Sequence, residues 1–232
     1  MIAHVTRQGV AIGGADDLDR ARVAMQRDCC VLMPGFLSSD LLAWFQERIA
    51  GATFTTRVHH LVDPPPVDLE MQSDAILSRL HFLVNDRRLF RLVEWLTGCD
   101  RIGCFLGTVY QMIPGQGHYD AWHHDVDDSR MVTLSVNLSR EMYEGGVLQI
   151  MDWAEQRLIH EVANTGPGDA ILFPISLAWR HRLTEVTGAT PKIAFAGWFE
   201  REPRYGERFR AWQEKDSGLR TPDSGHGRDG RP

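Results

Sequence analysis

Two histidines and a carboxylate, split along the chain, are the residues best suited to do chemistry: His123-His124-Asp125 in one run and His181 far downstream. Side chains alternate across a strand, so His123 and Asp125 share a face while His124 points the other way. Two imidazoles and one carboxylate can cap one face of a ferrous ion and leave three coordination positions open. Lys192 follows His181 by eleven residues, and a cation there could hold an acidic co-substrate. With both halves in place, the expectation is an oxygen-using enzyme rather than a binding module.

A second His-x-Asp, His118-Tyr119-Asp120, satisfies the same spacing. It follows Pro114-Gly115-Gln116-Gly117, where the chain is still turning, so the 123/125 pair is preferred. The next run, Met131 to Leu138, carries Val132, Leu134, Val136 and Leu138 on one face. Thr133, Ser135 and Asn137 lie on the other. If this strand lines a barrel, those polar groups face inward and can hydrogen-bond a polar ligand. In Pro191 to Trp198, the Lys192 face continues with Ala194, Ala196 and Trp198, opposite Ile193 and Phe195. Small residues beside a lysine leave room for something non-protein, and a buried lysine needs an anionic partner.

The elements that must position these groups are short β runs. They are predicted at 102–113, 119–125, 130–138, 146–151, 157–162, 169–174, 179–187 and 191–200. Without intervening helices, such spacing points to a sandwich or barrel, so the chain is read as mainly β with flanking α. Residues 1–100 read as a mixed region: a helix over 16–27, a short strand at Cys29 to Met33, a helix after Ser38-Ser39-Asp40, and two helices after the Pro64-Pro65-Pro66 break. The last of them starts near Asn85-Asp86 and stops at Gly98. This region is expected to pack on the outside of a catalytic core at 101–214, and the tail 215–232, nearly free of apolar residues, to be disordered.

At 232 residues the chain can bury one sizeable core. The net charge of −6 argues against nucleic-acid or anionic-membrane partners. No stretch approaches 18 uninterrupted apolar residues, and no leader is expected at the N-terminus. Cys29, Cys30, Cys99 and Cys104 form no C-x-x-C pattern, so a reducing, cytoplasmic setting is expected.

The stretch from Gly107 to Phe199 resembles the catalytic core of Fe(II)/2-oxoglutarate-dependent dioxygenases, in their prolyl-4-hydroxylase-like branch. The resemblance rests on an ordered set: Trp122-His123-His124-Asp125, the strand from Arg130, the turn Glu144-Gly145-Gly146, the strand Gly168 to Phe173, His181, Lys192 and Trp198. It implies a double-stranded β-helix (jelly-roll) core, with Fe(II) held by His123, Asp125 and His181, and O2 and 2-oxoglutarate as co-substrates. Lys192 would pair with the distal carboxylate of 2-oxoglutarate. Thr133 matches a co-substrate-binding threonine of the oxygen-sensing members, while Asn137 stands where they carry a tyrosine. Trp198 matches a tryptophan lining the family's pocket. The implied reaction is hydroxylation of a C–H bond with release of succinate and CO2. Asp125 fills the position that related halogenases leave small for chloride, which favours hydroxylation over halogenation.

Two other readings compete. A cupin-like barrel could bind a metal or small acid without turnover, but has no need of an inward lysine. A zinc hydrolase could use the same trio, but no further inward carboxylate stands out as its general base. The substrate, a small molecule, amino acid or peptidyl group, should meet the N-terminal helices, the loop 53–72 with His59 and His60, and the segment after Asp125. Arg57, Arg79 and Arg130 are the cations that could grip an acidic substrate, with Arg130 and Trp198 assigned to the pocket.

Overall fold

The computed structural model describes residues 1–59, 65–163 and 165–202; His60 and the tail 215–232 lie outside them. The chain opens with a hairpin, β1 (Ala3–Thr6) and β2 (Gly9–Ile12), followed by α1 (Ala15–Asp28), β3 (Val31–Met33) and α2 (Ser39–Ile49). Then come β4 (Thr53–Val58), β5 (Val67–Gln72), α3 (Asp74–Val84) and α4 (Arg87–Thr97). The remainder is β6 (Ile102–Met112), β7 (Asp120–His123), β8 (Arg130–Asn137), β9 (Glu144–Gly145), β10 (Leu148–Asp152), β11 (Arg157–Val162), β12 (Ala170–Pro174), β13 (Trp179–Leu183), β14 (Val186–Thr187) and β15 (Lys192–Arg201).

The helices begin and end where local chemistry dictates. In α4 the Asp86 side chain accepts from the Arg88 N–H, and Gly98 closes the helix in the left-handed region at φ 70°. Leu89, Leu92, Val93 and Leu96 recur at helical spacing and are all buried. In α1 the closing left-handed residue is Cys29, which shortens the expected strand to Val31–Met33.

Two antiparallel sheets carry the core. The larger runs β3-β12-β8-β15-β6-β5-β4, the smaller β11-β10-β13-β7. Among the described residues Met1–Arg201 form one compact unit. The alternation along β8 and β15 now has a physical meaning. Val132, Leu134, Val136, Phe195 and Phe199 join one apolar cluster with residues of all four helices. The opposite faces, with Thr133, Ser135, Lys192, Ala196 and Trp198, look into a cavity. The outside of the larger sheet is therefore dry and helix-covered, and the polar face is its interior. Phe105 sits edge-on to both Phe195 and Phe199, with Phe90 of α4 edge-on to Phe199.

One part of the architecture departs from the sequence expectation. The N-terminal region is not only an outer layer, because β3, β4 and β5 are strands of the larger sheet itself. β4 and β5 have polar residues on both faces and short length, so their alternation carries little apolar signal.

β6 and β15 pair along almost their whole length, with Gly107 opposite Gly197. A Cβ on Gly197 would lie 2.0 Å from the Leu106 carbonyl oxygen and 2.3 Å from the Gly107 Cα, both backbone atoms. Only glycine fits that approach. Gly197→Ala is expected to cost about 3 kcal/mol or more by forcing the two strands apart; thermal unfolding checks this, and an unchanged midpoint would contradict it.

Candidate active site

The metal-ligating types converge from the smaller sheet. His123 on β7 pairs across the sheet with His181 on β13, which brings their rings to 4.3 Å between centroids. Asp125 lies two residues past His123, just beyond the strand end. One Asp125 oxygen, Oδ1, sits 3.4 Å from His123 Nε2, and the other, Oδ2, 3.3 Å from His181 Nε2. One ligand atom from each of the three residues falls within 4.8 Å of the others. His124, on the opposite face, takes no part.

Each ligand is held from behind. The Ala121 carbonyl can only accept, so His123 must donate through Nδ1 at 2.7 Å, which leaves Nε2 free to ligate. Phe173 packs edge-on to His181 at 4.9 Å. Trp198 donates its indole N–H to Asp125 Oδ2 at 2.8 Å. Burial opposes a charge on His123, but the hydrogen bond to Asp125 and the charge of Asp120 outweigh it and push its pKa up to about 9. Burial works against the Asp125 carboxylate too, yet hydrogen bonds from both histidines hold it well below the usual carboxylate range. Asp125 is thus an anion with two imidazoles turned toward it, where a divalent cation would replace protons.

The rival pair behaves differently. His118 is buried and its Nδ1 accepts from the Ile113 N–H, so it closes the turn that carries it. Asp120 sits 3.6 Å from His123 Nδ1 and lines the cavity without joining the ligand group.

The cavity, of about 580 Å³, extends from this trio to Lys192. Lys192 is only 5% exposed, and its Nζ donates to the Gly146 carbonyl at 3.0 Å. Gly145 and Gly146 both have positive φ, at 68° and 57°, and this double left-handed turn aims the carbonyl at the lysine. No carboxylate of the described residues lies in ion-pair range of Nζ. Burial pulls the Lys192 pKa down to about 7, against the raising charge of Asp120. A buried ammonium without a counter-ion is a receptor for an anion.

Between lysine and trio, Thr133 Oγ1 is buried without a hydrogen-bond partner among the described residues and faces the cavity. Asn137 does not fit the expectation that it reaches a bound acid. Its Nδ2 donates to the Thr165 carbonyl at 2.6 Å and its Oδ1 accepts from the Ser139 N–H at 2.9 Å. Both ends of the amide are used to tie β8 to neighbouring loops, and it does not line the cavity. Tyr110 and Ser135 line the cavity instead. Burial pushes the Tyr110 phenol above its ordinary value, so it stays a neutral donor. Its signal in the sequence was its place on the inward face of β6, with Thr108 and Met112.

At the rim, Arg57 on β4 forms a bidentate pair with Asp68 on β5, at 2.9 and 2.6 Å, and His59 Nε2 lies 3.3 Å from the same carboxylate. Asp68 is 2% exposed, so this pair fixes the hairpin beside the cavity. Arg130 lies over the Trp198 ring at 3.6 Å and pairs with Asp127. Arg79 lies over Trp44 at 5.6 Å, among the helices and outside the cavity lining.

The donor set, the unpartnered Thr133 hydroxyl and the anion-seeking Lys192 fit an iron ion with a chelating dicarboxylate. Solved structures share the fold. An oxidoreductase of the 2OG-Fe(II) oxygenase family from Burkholderia pseudomallei superposes with a TM-score of 0.60 at 13% identity, covering 87% of this chain and 96% of that one. A Pseudomonas putida prolyl-4-hydroxylase gives 0.57 at 18%, covering 80% and 100%. The non-heme alpha-ketoglutarate-dependent epimerase SnoN from nogalamycin biosynthesis gives 0.59 at 15%, covering 81% and 84%. No curated protein matches the chain. The sequence pattern that defines one family does match, from β6 through β15. Residues 107–200 match the model of the 2OG-Fe(II) oxygenase superfamily.

Proposed function

We propose that this protein is an Fe(II)- and 2-oxoglutarate-dependent oxygenase that hydroxylates an unactivated C–H bond of a small molecule, amino acid or peptidyl group. The balance is one C–H, one O2 and one 2-oxoglutarate in, and one C–OH, one succinate and one CO2 out. The observation that carries the reading is one cavity holding both a His/Asp/His donor set and a buried lysine with no carboxylate partner among the described residues.

His123, Asp125 and His181 would hold the metal and leave its remaining positions facing the cavity. Iron bound there supplies the redox chemistry by which O2 is reduced at the expense of 2-oxoglutarate. Lys192, steadied by the Gly146 carbonyl, takes the distal carboxylate, with the Tyr110 hydroxyl and Thr133 as further donors. Leu148, Ile171 and Phe173 form an apolar wall that limits water around the bound acid. One protein of the same fold is an alpha-ketoglutarate-dependent epimerase; a carboxylate at position 125, rather than a small residue, supports hydroxylation over halogenation. Lys192 separates this reading from a cupin-like binder, which has no use for a buried cation. The free cysteines fit a reducing compartment.

The pH dependence follows from Lys192. In the free protein its pKa is about 7, and a bound carboxylate favours the charged form. Binding above pH 7 must therefore take up a proton, so the apparent Kd for 2-oxoglutarate rises with pH, roughly tenfold per unit. Anaerobic calorimetry on the Fe(II)-loaded protein between pH 6 and 9 measures it. Lys192→Arg, charged throughout, should flatten the profile, and a flat wild-type profile would argue against lysine as the anchor.

The function itself is tested by supplying Fe(II), 2-oxoglutarate and O2 to the purified protein and following succinate with and without a panel of amino acids, peptides and small molecules. Metal-dependent succinate release that a substrate accelerates is expected. Tightly held zinc with no affinity for 2-oxoglutarate would favour a hydrolase.

A further inference from the structure

Trp198 faces the cavity, and a pocket tryptophan is ordinarily read as a surface for substrate. Its polar atom points elsewhere. The indole N–H donates to Asp125 Oδ2 at 2.8 Å, the strongest type of contact it can make, since the acceptor is charged. The ring is itself held in place: the Arg130 guanidinium lies 3.6 Å above it. Arg130 in turn forms an ion pair with Asp127, whose Oδ2 lies 3.0 Å from Nε though not aligned as a hydrogen bond. The other oxygen of Asp127 accepts from the backbone N–H groups of Ser129 and Arg130, each at 2.8 Å, which closes the turn between β7 and β8.

A chain of contacts thus runs from the turn to the carboxylate: Asp127, Arg130, Trp198, Asp125. The geometry points to Trp198 as a positioning residue that occupies Oδ2 and so makes Asp125 a one-oxygen ligand, with Arg130 and Asp127 clamping the indole in that pose. The inference rests on the metal-centre reading proposed above. Its consequence is chemical. A carboxylate free to rotate could chelate through both oxygens and fill a coordination position that 2-oxoglutarate or O2 requires; an N–H on one oxygen prevents that. Outer partners of metal ligands of this kind are worth roughly ten- to a hundredfold in metal affinity.

The test uses Co(II) as a redox-silent probe, bound to the full chain without 2-oxoglutarate or turnover. Calorimetry reads affinity and the visible ligand-field spectrum reads coordination. Trp198→Phe keeps the ring beneath Arg130 but removes the N–H. It is expected to show an altered spectrum, as the second Asp125 oxygen becomes available to the metal, with Co(II) affinity changed by about tenfold. Arg130→Met leaves the N–H but removes the clamp, and should shift both readouts in the same direction by less; it also serves if Trp198→Phe does not fold. Wild-type affinity and spectrum in both variants, with binding lost in His181→Ala, would overturn the positioning role alone. A wild-type protein that binds no Co(II), or a His181→Ala variant that binds it as well as wild type, would remove the metal centre and this inference together.

Discussion

Asp125→Ala is expected to abolish succinate release and lower Fe(II) affinity by more than a hundredfold. Asp125 is the only carboxylate in the ligand group, and its oxygens are what the two Nε2 atoms face, at 3.4 and 3.3 Å. Without it, a divalent cation meets two neutral imidazoles and no anion. The loss should exceed the ten- to hundredfold typical of partners outside the ligand set. The alanine also strands the Trp198 N–H, which has Asp125 as its acceptor. Asp125→Asn separates the two effects: the amide oxygen keeps an acceptor for Trp198 while the charge is gone. Metal content and succinate measured side by side check the prediction. Unchanged turnover in Asp125→Ala would contradict the ligand assignment and bring Asp120, on the same cavity wall, back into consideration.

Lys192→Met should have two effects of opposite sign. The affinity for 2-oxoglutarate should fall by about a hundredfold, since losing one partner of a buried, hydrogen-bonded charge pair costs about 3 kcal/mol. The metal-free protein should become more stable near neutral pH. The folded-state pKa of Lys192, about 7, lies below the unfolded value of 10.5, so the unfolded chain binds more protons between those two values. Wild-type stability must then rise with pH across that window through this group, and the methionine variant must lack that rise. Calorimetric Kd values and unfolding midpoints at several pH values measure both. A methionine variant that binds the acid as tightly as wild type would contradict the anchor role.

Much of the site can be read from strand alternation. His123 and Asp125 share a face because they are two apart, and Lys192, Ala196 and Trp198 share one for the same reason. Partial legibility has physical causes. Asn137 occupies an inward register position, but its short amide finds the Thr165 carbonyl and the Ser139 N–H first; such local competition is invisible to alternation. Tyr110 has no sequence partner to announce it, because Ser135 and Lys192, which line the same cavity, come from strands brought together only by the sheet. β4 and β5 give no strand signal because their paired charges, Arg57 and Asp68, satisfy each other in the folded protein and look like surface residues in the sequence. Trp198 was legible as a pocket residue, but the direction of its N–H was not.

The most direct test of the central claim is anaerobic loading of the wild-type protein with Fe(II) and 2-oxoglutarate, followed by a measured pulse of O2 and quantitation of succinate. One Fe(II) and one 2-oxoglutarate bound per chain are expected, with succinate formed only when all three are present and none in Asp125→Ala. Binding of the metal without 2-oxoglutarate, or no succinate after O2 in a protein shown to hold both, would contradict it.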